Sequence, residues 1–517
     1  WADPEYVRRF AESTHLYNGE GFEVVEPMAT KMQDHPHDAK PFELLKPERQ
    51  YYDWEFERYW HFFQVFGRVG YNPDTPPEVW QREFQTRFAK EAAPYIEQAI
   101  HRASKILPRI VAYTYPYNMF PTTRGWGEKQ RMKDLPEYAK ALPSDTQQFL
   151  SIDNAAKYRL EGKDSAQFTP EESSRWFADI SKDVLDLVAQ AERRIGKNRN
   201  KEFVSTATDL EILAYLALYH SHRAKAGLSY ALFKHSKDLN ALDDAIEYET
   251  NAIGAWEKLV AAAADMYCDN LAMGRSSANL TDHWRDELPK LKTGLQKLRD
   301  QRKAFKPDAS DAGPTIVHVP IRKAVPGKDL VVRATVGAKS DIEKVTVDYR
   351  LGSRKRLPAT MKKTGPFTYS AVIPGDKVRE GLSYSVGVRD QDGQWAAISG
   401  IDVIVTNDNE PPTVNHNHIT SAPAEKPLTI TATVTDPSGV KWVRLRYRSV
   451  TQFEDYKSLD MTETDTEGQY NVTVPGKDIV SKYDFMYLIE VMDNKGNGAI
   501  YPDLENQTPY VIVKLQR

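Results

Sequence analysis

The chain of 517 residues has a single cysteine, Cys268. No intrachain disulfide can form, so the compartment is not legible from disulfides. A lone thiol in this setting reads as a small residue packed on a helix. Long apolar runs are missing too. None approaches the ~20 residues that span a bilayer, and no membrane span is expected. Charge is close to balance: Lys+Arg 69 against Asp+Glu 73 gives a formal net charge of -4. A nucleic-acid-binding chain would carry a basic face, so no nucleic-acid partner is expected. There is no GxSxG, Walker A, GxGxxG or zinc-protease signature, which removes the enzyme classes those motifs mark. The sequence opens at Trp1 with neither an initiator Met nor a signal peptide, as expected of a processed or truncated chain.

What is present is an ordinary globular composition, 40% apolar and 27% charged. The length predicts three or four domains of roughly 100–200 residues each. Aromatic residues make up 11% and concentrate in the first 130 positions, which suits either sugar stacking or a large core. ADPEYVRRFAEST reads as a helix with Asp3 as cap and Pro4 in its first turn. Tyr6, Val7 and Phe10 share one of its faces. GEGFEVVEPM, from Gly19 to Met28, reads as a buried strand: Phe22, Val24 and Val25 favour strands and Pro27 ends the run. A helix feeding a strand is the unit of a parallel α/β fold. Yet no second strand pattern follows until past residue 310, and a lone strand cannot pair its own backbone groups. Either the strand reading is wrong, or residues 1–46 are the last unit of a barrel or sheet whose earlier units are absent from this chain; in the case of a barrel, they are the C-terminal end of a (β/α) barrel.

Residues 47–306 read as an α-helical domain. WEFERYWHFFQVFGRVGY gathers Trp54, Tyr59, Phe62, Phe63 and Phe66, the pattern of a largely buried helix. Thr75 reads as the N-cap of the next helix, with Pro76 and Pro77 in its first turn. Helical periodicity recurs at Glu91–Ile106, Pro170–Arg194, Thr208–Phe233, Leu239–Ala263 and Trp284–Ala304, as in an antiparallel bundle. The segment 113–150 breaks the pattern. It is rich in Pro, Gly and aromatics, and reads as a long structured loop with a functional role. After KPDASDAGP the period changes to two. TVDYR at Thr346–Arg350 matches RLRYR at Arg444–Arg448, and VIPGDKV at Val372–Val378 matches TVPGKDI at Thr473–Ile479. VRDQDG at Val388–Gly393 matches VMDNKG at Val491–Gly496, so the offsets run at about 98 to 103 residues. Residues 314–407 and 411–517 thus read as two tandem immunoglobulin- or fibronectin-like β-sandwiches. The fold class expected is multidomain α+β: a barrel remnant, a helical bundle and two sandwiches.

Candidate chemistry centres on carboxylates. Glu26 falls at the C-terminal end of the expected strand, where barrels place catalytic groups. Glu23 lies three residues earlier and points to the opposite strand face, so at most one of the two serves a given site. Glycoside hydrolysis needs a pair of carboxylates, and the second would come from the missing strands. In the aromatic loop, Tyr115, Tyr117 and Trp126 offer stacking faces, while Asn118, Arg124 and Glu128 offer hydrogen bonds to a sugar. His35 and His37 in DHPHD lack a partnering cluster, and no metal is expected there. His220 and His222 are two apart on a helix and do not share a face, so both read as surface or packing residues. DQDGQ at Asp390–Gln394 and DNKGNG at Asp493–Gly498 read as hairpin turns, since neither has the remaining ligands of a calcium loop. No cofactor is expected.

DPEYVRRF, GFEVVEP, FERYWHFFQVFGRVGYNPDTP, NMFPTTRGWGE and HWRDELPKL at His283–Leu291 together resemble the C-terminal half of large bacterial polysaccharide-degrading proteins. GRVGYNPDTPPEVWQREF in particular is similar to the start of the helical domain after the catalytic barrel in α-glucuronidase-like glycoside hydrolases. The resemblance covers roughly residues 1–305. It implies a secreted glycoside hydrolase, periplasmic or extracellular, acting on plant or algal polysaccharide, whether uronic-acid-containing or of another kind. Its partners would be that polysaccharide or oligosaccharide and the missing upstream barrel segment. No catalytic pair carries over, because most of the barrel is not in this chain. The alternative is a non-catalytic carbohydrate-binding or surface docking protein. An intracellular scaffold is allowed by the single cysteine but gains nothing from the aromatic loop.

Overall fold

The computed structural model describes residues 2–14, 19–24, 44–114, 134–269, 271–272, 281–309 and 312–517. The chain divides into two compact units. The first is Trp1–Ala155, Thr169–Ala231 and Leu242–Ala304; the second is Ala156–Phe168, Leu232–Ala241 and Phe305–Arg517. No helix among the described residues is long and apolar enough to cross a membrane.

The first unit is helical, and local signals set many of its helix ends. Asp3 accepts from the Glu5 N–H and opens the helix Pro4–Ser13. Thr169 and Glu172 form a reciprocal capping box at the start of Pro170–Ile195, which packs on Ala93–Ala103. Leu239–Ala263 has the bounds its periodicity predicts. Lys201–Ser236 runs for 36 residues and buries side chains on nearly every face, including Phe203, Leu210, Ala217 and Tyr219. A helix buried all round must satisfy its polar groups internally. Arg223 does so against Glu249 at 3.4 Å, with its guanidinium over the Tyr138 and Tyr219 rings. His220 is fully buried against Tyr138, Phe177 and Tyr219, a packing residue. Arg58 pairs with Asp209 at 2.5 Å, and the Tyr267 hydroxyl donates to the same carboxylate.

Three expectations change in this unit. Gly21–Val24, the described part of the predicted strand after Glu20, forms no strand and is largely exposed. The Phe22 ring instead lies edge-on to Phe10 and over Gly70, where an added Cβ would come within 2.9 Å of it. Its apolar surface is met by helices, which a strand former accepts when tertiary contact outweighs propensity. Val25 onward, as far as Phe42 and Glu43, lies outside the described residues. Cys268 is not on a helix. It follows the bridge between Leu45 and Tyr267, is half-buried, and donates from Sγ to the Leu45 carbonyl at 3.2 Å. Thr75 does not cap the helix that follows it; its hydroxyl donates to the carbonyls of Arg68 and Asn72 behind it.

The second unit is dominated by β-structure. In residues 315–405, one four-stranded sheet runs Trp395–Asp402, Leu382–Asp390, Ile342–Leu351, Leu357–Thr360. A second runs Thr315–Val317, Leu330–Gly337, Thr368–Ile373, Lys362–Lys363. Alternating residues of both, among them Val332, Val347 and Val386, share one core. The following repeat departs from two separate sheets. Lys457–Glu463 pairs with both Val440–Ser449 and Gln469–Val474, joining its strands into one nine-stranded sheet. Both arms still feed one core around Ile430, Leu445 and Ile489. Each repeat also carries a chain of hydrogen bonds. His318 Nδ1 donates to the Arg333 carbonyl at 2.6 Å, and its Nε2 accepts from the Tyr384 hydroxyl at 2.7 Å. That hydroxyl accepts from the Ile321 N–H at 2.8 Å. In the second repeat His416, Thr431, Tyr487 and Ile419 take the same places.

Candidate functional site

The helix Trp60–Tyr71 presents two unlike faces. His61, Val65 and Val69 are buried, along with Trp80, Phe84 and Phe88 of the next helix, Glu78–Phe88. The opposite face holds Phe63, Gly67 and Tyr71, spaced by four and so aligned in one stripe. Beside it runs a second stripe of Gln64, Arg68 and Asn72. This segment therefore differs from the buried helix its aromatics predict. Phe63 is 38% exposed, Tyr71 93% and Trp54, just before it, 67%.

Local hydrogen bonds fix where this face stands. The Asn72 N–H donates to the Arg68 carbonyl at 2.9 Å and ends the helix. The Thr75 hydroxyl then adds a second bond to Arg68 O at 3.0 Å and to Asn72 O at 2.7 Å, the latter already accepting from the Thr75 N–H, and so ties the turn to the helix end. Gln64 Nε2 donates to Val79 O at 3.2 Å and ties the helix to the one that follows. Between them lies an open groove of about 550 Å³, with Thr75, Pro76 and Val79 forming its far wall. Among the described residues the groove lining contains one cation, Arg68, and no carboxylate. The Arg68 side chain is exposed and has no hydrogen-bond or ion-pair partner among the described residues. Flat aromatic faces beside hydrogen-bonding groups are chemically suited to a ring with an apolar face and a polar edge.

Behind the groove helix, His61 and His101 meet at 3.0 Å between their Nε2 atoms. Burial holds His61 well below the usual imidazole range. Burial also lowers His101 to about 4, with Glu5 opposing that shift and Lys105 adding to it. With both pKa values lowered, both rings are neutral at pH 7, a state in which one Nε2 donates and the other accepts.

Of the residues singled out from sequence, Glu23 is exposed and lies on the irregular segment Gly21–Val24. Glu26, Tyr115, Tyr117, Asn118, Arg124, Trp126 and Glu128 lie outside the described residues, as do His35 and His37. The DQDGQ and DNKGNG segments are turns: Asp390 and Asp493 each accept from backbone N–H groups of their own turn. The second turn also brings carboxylate oxygens of Asp408, Asp436 and Asp493 within 4.8 Å of one another. Sequence reasoning missed the groove. The signal available was the pair of i, i+4, i+8 stripes, one of them interrupted by a glycine.

No protein-family model matches the chain, and no curated protein does. Among solved structures, a chimeric titin Z1Z2 carrying a decorin peptide matches at 14% identity and a TM-score of 0.16. It covers 40% of this chain and 99% of that one. The native conformation of E. coli alpha-2-macroglobulin matches at 11% identity and a TM-score of 0.23, over 38% of this chain and 14% of that one. A GH138 enzyme targeting pectin rhamnogalacturonan II matches at 14% identity and a TM-score of 0.46, over 59% of this chain. This chain spans about 45% of the length of that enzyme.

Proposed function

We propose that this chain is part of a glycoside hydrolase acting on plant or algal polysaccharide, with its helical region presenting a sugar-contacting surface. The groove on Trp60–Tyr71 carries the reading. It sets two exposed aromatic rings beside a polar stripe, an arrangement suited to the two faces of a sugar ring. The resemblance of GRVGYNPDTPPEVWQREF to the helical domain of α-glucuronidase-like hydrolases supports it, since that stretch contains the end of the groove helix and its far wall. On this reading residues 1–46 belong to a barrel end, 47–306 to the supporting helical domain, and 314–407 and 411–517 to accessory sandwiches. Glu26 is the carboxylate proposed for acid/base or orienting work, and the location is periplasmic or extracellular.

The test compares this chain with a form extended upstream on acidic and neutral polysaccharides. Reducing ends are read for cleavage, and titration calorimetry is read for binding. Cleavage by the extended form, lost in Glu26→Gln, supports the reading. If neither form cuts or binds any polysaccharide, the reading is wrong. Binding without cleavage favours the second reading, a carbohydrate-docking protein. Among the described residues the groove lining holds no carboxylate, so on either reading this surface would bind sugar and leave cleavage to another part of the protein.

A further inference from the structure

We infer that the groove on Trp60–Tyr71 is a non-catalytic subsite for a sugar unit bearing one anionic group, with Arg68 as its anchor. The inference rests on the carbohydrate reading above and adds the ligand's charge and the role of each residue.

Three observations carry it. First, Arg68 is the one charged side chain among the described residues that line the groove. Arg68 meets no carboxylate among the described residues, although ion pairs such as Arg8–Glu5 form on a neighbouring helix. Its planar fork of N–H donors matches a carboxylate or sulfate in two-point fashion, which an ammonium would not.

Second, the charge stands beside stacking surface. Phe63 and Tyr71 are two helical turns apart, ~12 Å along the axis, on the stripe next to Arg68. Gln64 and Asn72 flank Arg68 on its own stripe. The Gln64 amide already donates to Val79 O, and its buried Oε1 accepts from no group among the described residues. A ligand that uses both stripes needs an apolar ring face and a polar edge that ends in an anion. A sugar acid or a sulfated sugar has that shape; a simple phosphate or an apolar peptide does not.

Third, Gly67 is unexplained by the fold. It lies mid-helix on the exposed face, and a Cβ added there would meet nothing within 4 Å. Glycine is among the poorest helix formers, and packing does not call for it here. What it supplies is an open floor between Phe63 and Tyr71.

The experiment is calorimetric titration of the full chain with three probes: a galacturonate trisaccharide, a galactose trisaccharide and a 6-sulfated galactose trisaccharide. The expected result is at least tenfold tighter binding of one or both anionic probes than of the neutral one, with the preference shrinking as salt is raised. The two anionic probes tell carboxylate from sulfate. Arg68→Gln should abolish the preference and leave neutral-sugar binding in place. The chain should fold as before, because that side chain holds no partner among the described residues. Gly67→Ala should raise the melting temperature, and Gly67→Trp should weaken all probes by filling the floor. If the neutral sugar binds as well as the acids, or the preference survives in Arg68→Gln, the anionic subsite is wrong while the carbohydrate reading stands. If no probe binds at all, the groove has no part in sugar recognition and both fall at this site.

Discussion

The hydroxyl of Tyr487 donates to Nε2 of His416 at 2.6 Å, 71 residues earlier in the chain. The Nδ1 of that histidine is committed to the Thr431 carbonyl, which fixes the neutral tautomer with its proton on Nδ1. Tyr487→Phe removes the donor to a buried ring nitrogen and the acceptor of the Ile419 N–H. The expected cost is about 1–3 kcal/mol, from a polar group left buried and unpaired. Tyr384→Phe should act alike in the first repeat, where His318 and Ile321 meet the same hydroxyl. Urea denaturation of the two variants checks this, and a change below about 0.5 kcal/mol in both would contradict the role given to the chain of hydrogen bonds.

Glu249 faces Arg223 in the helical core, and both side chains are almost fully buried. Burial pushes the Glu249 carboxyl up while the guanidinium pulls it down. Glu249→Leu keeps the volume and removes the counter-charge, so it should destabilise by about 3–5 kcal/mol. The double variant Arg223→Met with Glu249→Leu should recover most of that loss. A double-mutant cycle in denaturant separates the two. Additive losses would mean the ion pair is not the interaction that matters.

The His61–His101 pair predicts a pH dependence. Folding lowers both imidazoles below their unfolded value near 6.5, His101 to about 4. The unfolded chain therefore binds more protons in that interval. The stability is present in full above about 6.5 and is lost as pH falls toward about 4. For His101 alone the loss from pH 7.5 to 5 is about 2 kcal/mol. His101→Gln keeps a group that can bond to His61 and removes one titration, so its stability should fall less steeply over the same interval. Equal slopes for the two proteins would show that His101 is not buried neutral.

Thr75→Val should cost about 0.5–1.5 kcal/mol, since its one hydroxyl is shared between the carbonyls of Arg68 and Asn72, which keep their backbone donors. The same change should loosen the end of the groove helix. Hydrogen exchange at the Asn72 and Thr75 amides should rise more than exchange in Leu239–Ala263. Uniform acceleration across the chain would assign the effect to global stability instead.

Where local chemistry is decisive, the sequence by itself determined the outcome. Asp3 and Pro4 open a helix because cap and first turn need no tertiary partner. Leu239–Ala263 follows from an uninterrupted helical period. The matched PGDK and PGKD stretches both become short 3-10 turns, because equal local sequence in equal repeats meets equal surroundings. Only tertiary structure could decide the rest. Phe22 is a strand former that packs on Phe10 and Gly70, since no strand among the described residues pairs with its backbone. Thr75 reads as the cap of the helix after it, yet the carbonyls of the helix behind it won. Phe63 and Val65 are alike in apolarity, yet one is exposed and the other is not. The choice went with the face that carries His61, on which Trp80 and Phe84 pack, and hydrophobicity has no direction until such a neighbour supplies one.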